Sequence, residues 1–263
     1  MDKQSAEPAA EAKPAIDPIA MARQAPVILE AIDLFKTFGK RPVLKGLSLK
    51  IREGEIFGLF GPDGAGKTVS FYCVLGLLKP DLGRIMLRGQ DITRLPFYRR
   101  AIMGMGYLPE QPSVFRGLTV AQNIGAMVEI VEPDAERQAA RVEELMRDLD
   151  IKHLRDTAAT ALSGGERRRC EIARALALDP ALMLLDEPFA GIDPLTIANI
   201  KELVLDMKKR GIAVLLTDQN VDVMLELIDH ACVIDEGEVI FEGTPDQMLR
   251  DPIVIEHYLG ADD

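Results

Sequence analysis

The segment Gly61-Pro62-Asp63-Gly64-Ala65-Gly66-Lys67-Thr68 has the spacing of a phosphate-cradling loop, G-x-x-x-x-G-K-[ST]. Its glycines permit a tight path that turns backbone N–H groups inward. Lys67 reaches the outer phosphates, and the Thr68 hydroxyl is a ligand for Mg²⁺. A second segment, Ala181-Leu-Met-Leu-Leu-Asp186-Glu187, delivers two carboxylates at the end of an apolar run. Carboxylates placed there lie where ligands bind in open α/β sheets. Asp186 is the candidate for holding the cation and Glu187 for polarising an attacking water, with an ion-pairing strand end as the plainer alternative. The third segment, Leu162-Ser163-Gly164-Gly165-Glu166, leads straight into a helix-like stretch. A Ser hydroxyl, two glycines and free helix-terminal N–H groups make a second phosphate site. One nucleotide does not need two such sites in one chain. The arrangement predicts a two-fold homodimer in which each P-loop faces the partner's Ser163–Gly165 segment.

These residues need a scaffold, and the apolar pattern supplies one. Val27–Asp33, Glu55–Phe60, Ala181–Asp186 and Ala213–Asp218 read as short strands covered on both faces. Thr68–Leu78 and Glu166–Leu178 read as helices, the second stopped by Asp179-Pro180. Gly83–Ile92 and Ala231–Glu242 read as hairpins, and Thr244-Pro-Asp-Gln247 as a capped helix start. Antiparallel strands come first, then the P-loop, a helix-rich middle over about 113–160, and strands alternating with helices. That order predicts an α/β fold: a P-loop NTPase (RecA-like) core with an N-terminal antiparallel β subdomain and an inserted α-helical subdomain.

The 263 residues carry a formal charge of −11, which argues against nucleic acid as the main partner. No apolar run approaches the length that spans a bilayer. Met1–Pro26, rich in Ala and Pro, reads as an unstructured tail before a folded unit over 27–263, and as neither a signal peptide nor an anchor. Cys73, Cys170 and Cys232 are isolated in apolar surroundings, as buried thiols of a reducing compartment are. The three histidines lack metal-ligand spacing.

The ordered set Gly61–Thr68, Leu162–Glu166, Asp186-Glu187 and Ala190–Asp193 resembles the ATP-binding cassette ATPases over essentially all of Val27–Asp263. The resemblance implies ATP and Mg²⁺ as cofactors and places Val69, Glu110, Gln111 and Asp193 at the nucleotide. It also implies that Phe38 stacks on adenine, the alternative being an ordinary core or surface phenylalanine. More narrowly, Gly106-Tyr-Leu-Pro109, Ser113-Val-Phe-Arg116-Gly-Leu-Thr119 and Asp186-Glu-Pro-Phe-Ala-Gly-Ile-Asp-Pro194 are similar to the ATPase subunits of lipopolysaccharide exporters. Such subunits are peripheral on the cytoplasmic face of the inner membrane, dimeric with ATP bound, beneath two integral membrane subunits. Val114, Phe115 and Leu118 beside Arg116 are the expected docking patch for those subunits. The ending Tyr258-Leu-Gly260 is shared with branched-chain amino acid importers, which keeps a second substrate class open.

Departures from the family pattern bear on rate. Glu110-Gln111 stands where the family has Gln first, Gln219 stands for the switch His, and Asp63 and Val69 replace common P-loop residues. Gln219 can donate a hydrogen bond to a γ-phosphate oxygen but carries no charge, or it can serve only as a brace. A slow or regulatory cassette, and a soluble cassette acting without membrane partners, are the competing readings.

Overall fold

The computed structural model describes residues 25–260. Most of the tail expected over 1–26 therefore lies outside the described residues. Ala25 and Pro26 are tied to the fold, their carbonyls accepting from the Arg52 guanidinium and the Glu53 N–H at 2.9 Å each.

A four-stranded antiparallel sheet of order β2-β1-β4-β5 is built from β1 (Val27–Phe38), β2 (Arg41–Arg52), β4 (Leu82–Leu87) and β5 (Gln90–Asp91). Strand β1 runs five residues past the expected Asp33. That residue takes a left-handed φ of 48°, but at an irregularity in the ladder and not at a strand end.

The second sheet has order β10-β9-β3-β8-β7-β6, with β3 (Ile56–Phe60), β6 (Met105–Leu108), β7 (Leu182–Asp186), β8 (Ala213–Thr217), β9 (His230–Asp235) and β10 (Glu238–Gly243). Every residue of β3, β7 and β8 is buried. Alternate side chains divide between two cores, as a period of two requires. Met183, Leu185, Val214 and Leu216 pack into the core on the helical side. Leu182, Leu184, Ala213 and Leu215 face the core beneath the antiparallel sheet. The sheet is parallel from β9 through β6, and only the β9–β10 hairpin is antiparallel.

The P-loop helix α1 (Lys67–Leu75) ends at Gly76, short of the expected Leu78. The buried Arg100, on α2 (Phe97–Ile102), donates to Cys73 O and Val74 O at that end, replacing the helix's missing partners. The middle region holds α3 (Val120–Val128) and α4 (Ala135–Asp148), followed by α5 (Gly164–Leu176). Thr119 and Ser163 open α3 and α5 with capping boxes completed by Gln122 and Glu166. Helix α5 begins two residues before the expected Glu166, because Ser163 is its cap. It stops short of Asp179, which adopts a left-handed φ of 47°. The remaining helices are α6 (Pro194–Lys209), α7 (Val221–Leu225), α8 (Pro245–Met248) and α9 (Pro252–Val254), the last followed by one π turn over Ile255–Leu259. Among the described residues no helix is long and apolar enough to cross a membrane.

Candidate functional site

Strand β3 ends directly at Gly61, and the loop returns into α1 at Gly66. A Cβ on Gly61 would lie 2.1 Å from Ile234 O, and its φ of 143° is open to glycine alone. Gly66 caps α1 with a left-handed φ of 112° and makes no side-chain cap bond, so the first N–H groups of the helix face the loop unused. That is an anion site made of backbone. Lys67 Nζ bends back over the loop to Gly61 O at 2.6 Å and Pro62 O at 3.1 Å. Burial holds its pKa below the ordinary lysine value, and the charges of Asp63, Glu187 and Asp186 work against that shift. The ammonium is thus stored where phosphate oxygens would replace its two carbonyl partners. Asp63, Gly64 and Thr68 are exposed along the rim, Pro62 and Val69 are half-buried, and Ala65 is buried. A cleft of about 450 Å³ adjoins the loop, with Arg41, Lys45, Asp63 and Ala65 in its lining. Phe38 is 48% exposed at the end of β1, with Lys36 Nζ 5.6 Å from its ring centroid.

Asp186 closes β7 opposite Thr217 of β8. It is only 6% exposed, and burial pushes its carboxyl up to about 6. A hydrogen bond from the Tyr107 hydroxyl and the Arg168 charge pull the other way, while Glu187 and Glu110 push it further up. Glu187 follows in a left-handed conformation, φ 44°, its N–H fixed to Thr217 O at 2.8 Å. A non-glycine residue held there stores strain on the order of 1 kcal/mol or more. Burial raises the Glu187 pKa as well, partly offset by the Gln219 amide. Gln219, on the turn after β8, directs Nε2 at both Glu187 carboxylate oxygens. Asp218 ties this turn to the one after Glu187, accepting from Phe189 N at 2.8 Å and Asn220 N at 2.9 Å. Glu110 is exposed and accepts from Gln111 Nε2 at 3.3 Å.

Asp186, Glu187, Glu110 and Asp218 therefore converge at one end of the parallel sheet, close enough to act on one another, with the charges of Arg168 and Lys67 beside them. Among the described residues no group of three or more His, Cys, Asp and Glu forms a metal cage. The buried Asp186 carboxylate and the exposed Thr68 hydroxyl are hard-oxygen donors of the kind that could hold a small divalent cation whose shell phosphates complete.

Ser163–Gly165 stands apart from this cluster. The Ser163 hydroxyl accepts from Glu166 N at 3.4 Å, and Glu166 Oε2 accepts from Ser163 N at 2.8 Å. A Cβ on Gly165 would meet Thr196 Oγ1 at 2.8 Å, so this turn lies against the start of α6. Asp193 caps that start, accepting from Leu195 N and Thr196 N at 3.1 Å and from Thr196 Oγ1 at 2.6 Å. Among the described residues, no hydrogen bond links the Ser163 cap to the P-loop. The expected docking patch is narrower than its sequence suggests. Phe115 is 44% exposed under the Arg174 guanidinium at 4.2 Å, while Val114 and Leu118 are half-buried. Sequence reasoning missed Tyr107, Asp218 and Arg168 as parts of the site. Arg168 is buried and donates to Pro109 O at 2.6 Å, a contact with no local signature.

The sequence profile of the ABC transporter family matches residues 44–190, and that of the branched-chain amino acid ATP-binding cassette transporters matches 238–263. A protein of Azorhizobium caulinodans named "Probable ABC transporter ATP-binding protein" is 52% identical over 234 residues, covering 89% of this chain and 83% of that one. Two relatives named lipopolysaccharide export system ATP-binding protein LptB share 47% identity (Acidithiobacillus ferridurans, 89% of this chain and 97% of that one) and 45% (Escherichia coli K12, 89% and 98%). An ATP-binding cassette of an ABC transporter, solved in its ADP conformation, superposes with a TM-score of 0.79 at 30% identity, covering 89% of this chain and 99% of that one. The chain belongs to the ABC transporter family, as its nucleotide-binding, ATP-hydrolysing subunit.

Proposed function

We propose that this chain powers extraction of lipopolysaccharide from the inner membrane for export, working as an ATP-bound homodimer on the cytoplasmic face beneath two membrane-embedded subunits. The observation that carries the substrate class is the 45–47% identity to the LptB proteins over 97–98% of their length. The second reading, a branched-chain amino acid importer, is favoured by the match of residues 238–263 to that family's profile. That match covers only the terminal segment, so it weighs less.

In this reading the Gly61–Gly66 backbone and Lys67 bind the phosphates, Phe38 stacks on the base, and Thr68 with Asp186 hold Mg²⁺. When bound, the cation supplies charge neutralisation between phosphate oxygens and the buried carboxylate. Glu187 orients a water in line with the γ-phosphate and takes its proton, the role its raised pKa favours. The partner's Ser163–Gly165 closes the site from the opposite side, which accounts for a cap that makes no bond to its own P-loop.

The deciding experiment purifies the chain with its membrane subunits and measures phosphate release in lipid nanodiscs. Added lipopolysaccharide should stimulate turnover several-fold, and leucine with its binding protein should do nothing. Stimulation by the amino acid instead would establish the importer reading.

A further inference from the structure

Strands β6 and β7 run parallel with Tyr107 opposite Leu184. Asp186 lies two residues beyond Leu184 and so on the same face of the sheet, within reach of a long side chain on the neighbouring strand. The Tyr107 hydroxyl makes that reach and donates to Asp186 Oδ2 at 3.3 Å. The ring is held by Phe97, packed edge to face with centroids 6.3 Å apart at 83°. Among the described residues no donor reaches the other oxygen, Oδ1. A carboxylate rotates freely about its last torsion, so one bonded oxygen fixes where the other points. A phenol is also a neutral donor, which orients the carboxylate without cancelling the charge a cation needs.

We propose that Tyr107 is a positioning residue for the divalent cation, holding Asp186 by Oδ2 so that Oδ1 is the oxygen presented to the metal. This rests on Asp186 being the metal ligand. Among the described residues no other side chain provides the contact: Arg168, a buried cation whose charge acts on Asp186, spends its Nη1 on Pro109 O and Glu171.

The test compares binding of the non-hydrolysable analogue AMP-PNP to the full chain in Mg²⁺ and in EDTA. The ratio of the two affinities measures the metal's contribution, and a merely structural role for the tyrosine leaves it unmoved. Tyr107→Phe keeps the ring against Phe97 and removes only the hydroxyl, and Tyr107→Met serves as a second, smaller apolar replacement. Both should lower the ratio about three- to tenfold while the EDTA affinity stays at its native value. The Mn²⁺ spectrum of the AMP-PNP complex should broaden in both as the ligand oxygen loses its fixed position. A native ratio in Tyr107→Phe, or an equal loss with and without metal, overturns the proposal. Asp186→Asn is run beside them. If it abolishes the ratio while Tyr107→Phe does not, the positioning role alone fails; if Asp186→Asn keeps the ratio, the metal-ligand reading fails and takes the proposal with it.

Discussion

Gln219 Nε2 stands 3.4 Å from each carboxylate oxygen of Glu187, a forked approach at the long end of hydrogen bonding. The amide thus rests on Glu187, the proposed general base. In the proposed mechanism the same amide turns to a γ-phosphate oxygen when nucleotide binds. A neutral amide supplies one ordinary hydrogen bond there, where a protonated imidazole would supply a charge-assisted one. The difference is on the order of 1 kcal/mol, somewhat less than tenfold in rate. Gln219→His should therefore raise steady-state phosphate release several-fold in the assembled transporter. Equal rates would confine Gln219 to bracing Glu187.

The buried carboxyl of Asp186 makes stability depend on pH. Its folded-state value, pushed up to about 6 chiefly by burial, lies above the ordinary aspartate value. Between the two the folded chain holds a proton that the unfolded chain has released. Stability of the metal-free protein therefore falls as pH rises from about 4 to about 6, and stays lowered above. Asp186→Asn removes the term while keeping a carbonyl acceptor for Tyr107. In EDTA at pH 7.5 the variant should unfold a few degrees above the native chain, on the order of 1–2 kcal/mol. At pH 4 that gap should close. A gap that persists unchanged at pH 4 means ionisation of Asp186 is not its source.

The phosphate loop and the two carboxylates at the end of β7 were legible because each is a contiguous motif whose chemistry follows from local spacing. The strands that carry them were legible too, since β3 is apolar throughout and β7 and β8 are apolar up to their last residues, Asp186 and Thr217. Strand β6 was not: it has four residues, with Gly104 before it and Gly106 within it, too little side chain to register as a pattern. Missing β6 meant missing Tyr107, whose partner lies 79 residues away and is set by a sheet register that no local signal encodes. Asp193 was legible by position in a motif, yet the structure gives it a helix cap to make. Asp218, expected as the end of a strand, emerges as the clasp between the two turns that present Glu187 and Gln219.

Glu187→Gln separates the base from the backbone that presents it. Glutamine matches glutamate in shape, so the left-handed backbone at φ 44° carries the same strain, and its N–H keeps Thr217 O at 2.8 Å. The clasp of Asp218 on Phe189 N is untouched for the same reason. What changes is the base: an amide cannot take a proton from the attacking water. Hydrolysis should slow by about 10²–10⁴-fold, while contacts to phosphate from the loop and Lys67 persist. Removing one carboxylate from a crowded acidic cluster also relieves repulsion of the nucleotide's own charge. ATP then stays in place long enough to hold two copies together, each P-loop closed by the partner's Ser163–Gly165. Size-exclusion chromatography at micromolar protein with Mg²⁺ and ATP should give a dimer for the variant, and a monomer once EDTA is added. A variant that stays monomeric with ATP, or that turns over at the native rate, contradicts the shared-site arrangement or the role of Glu187, respectively.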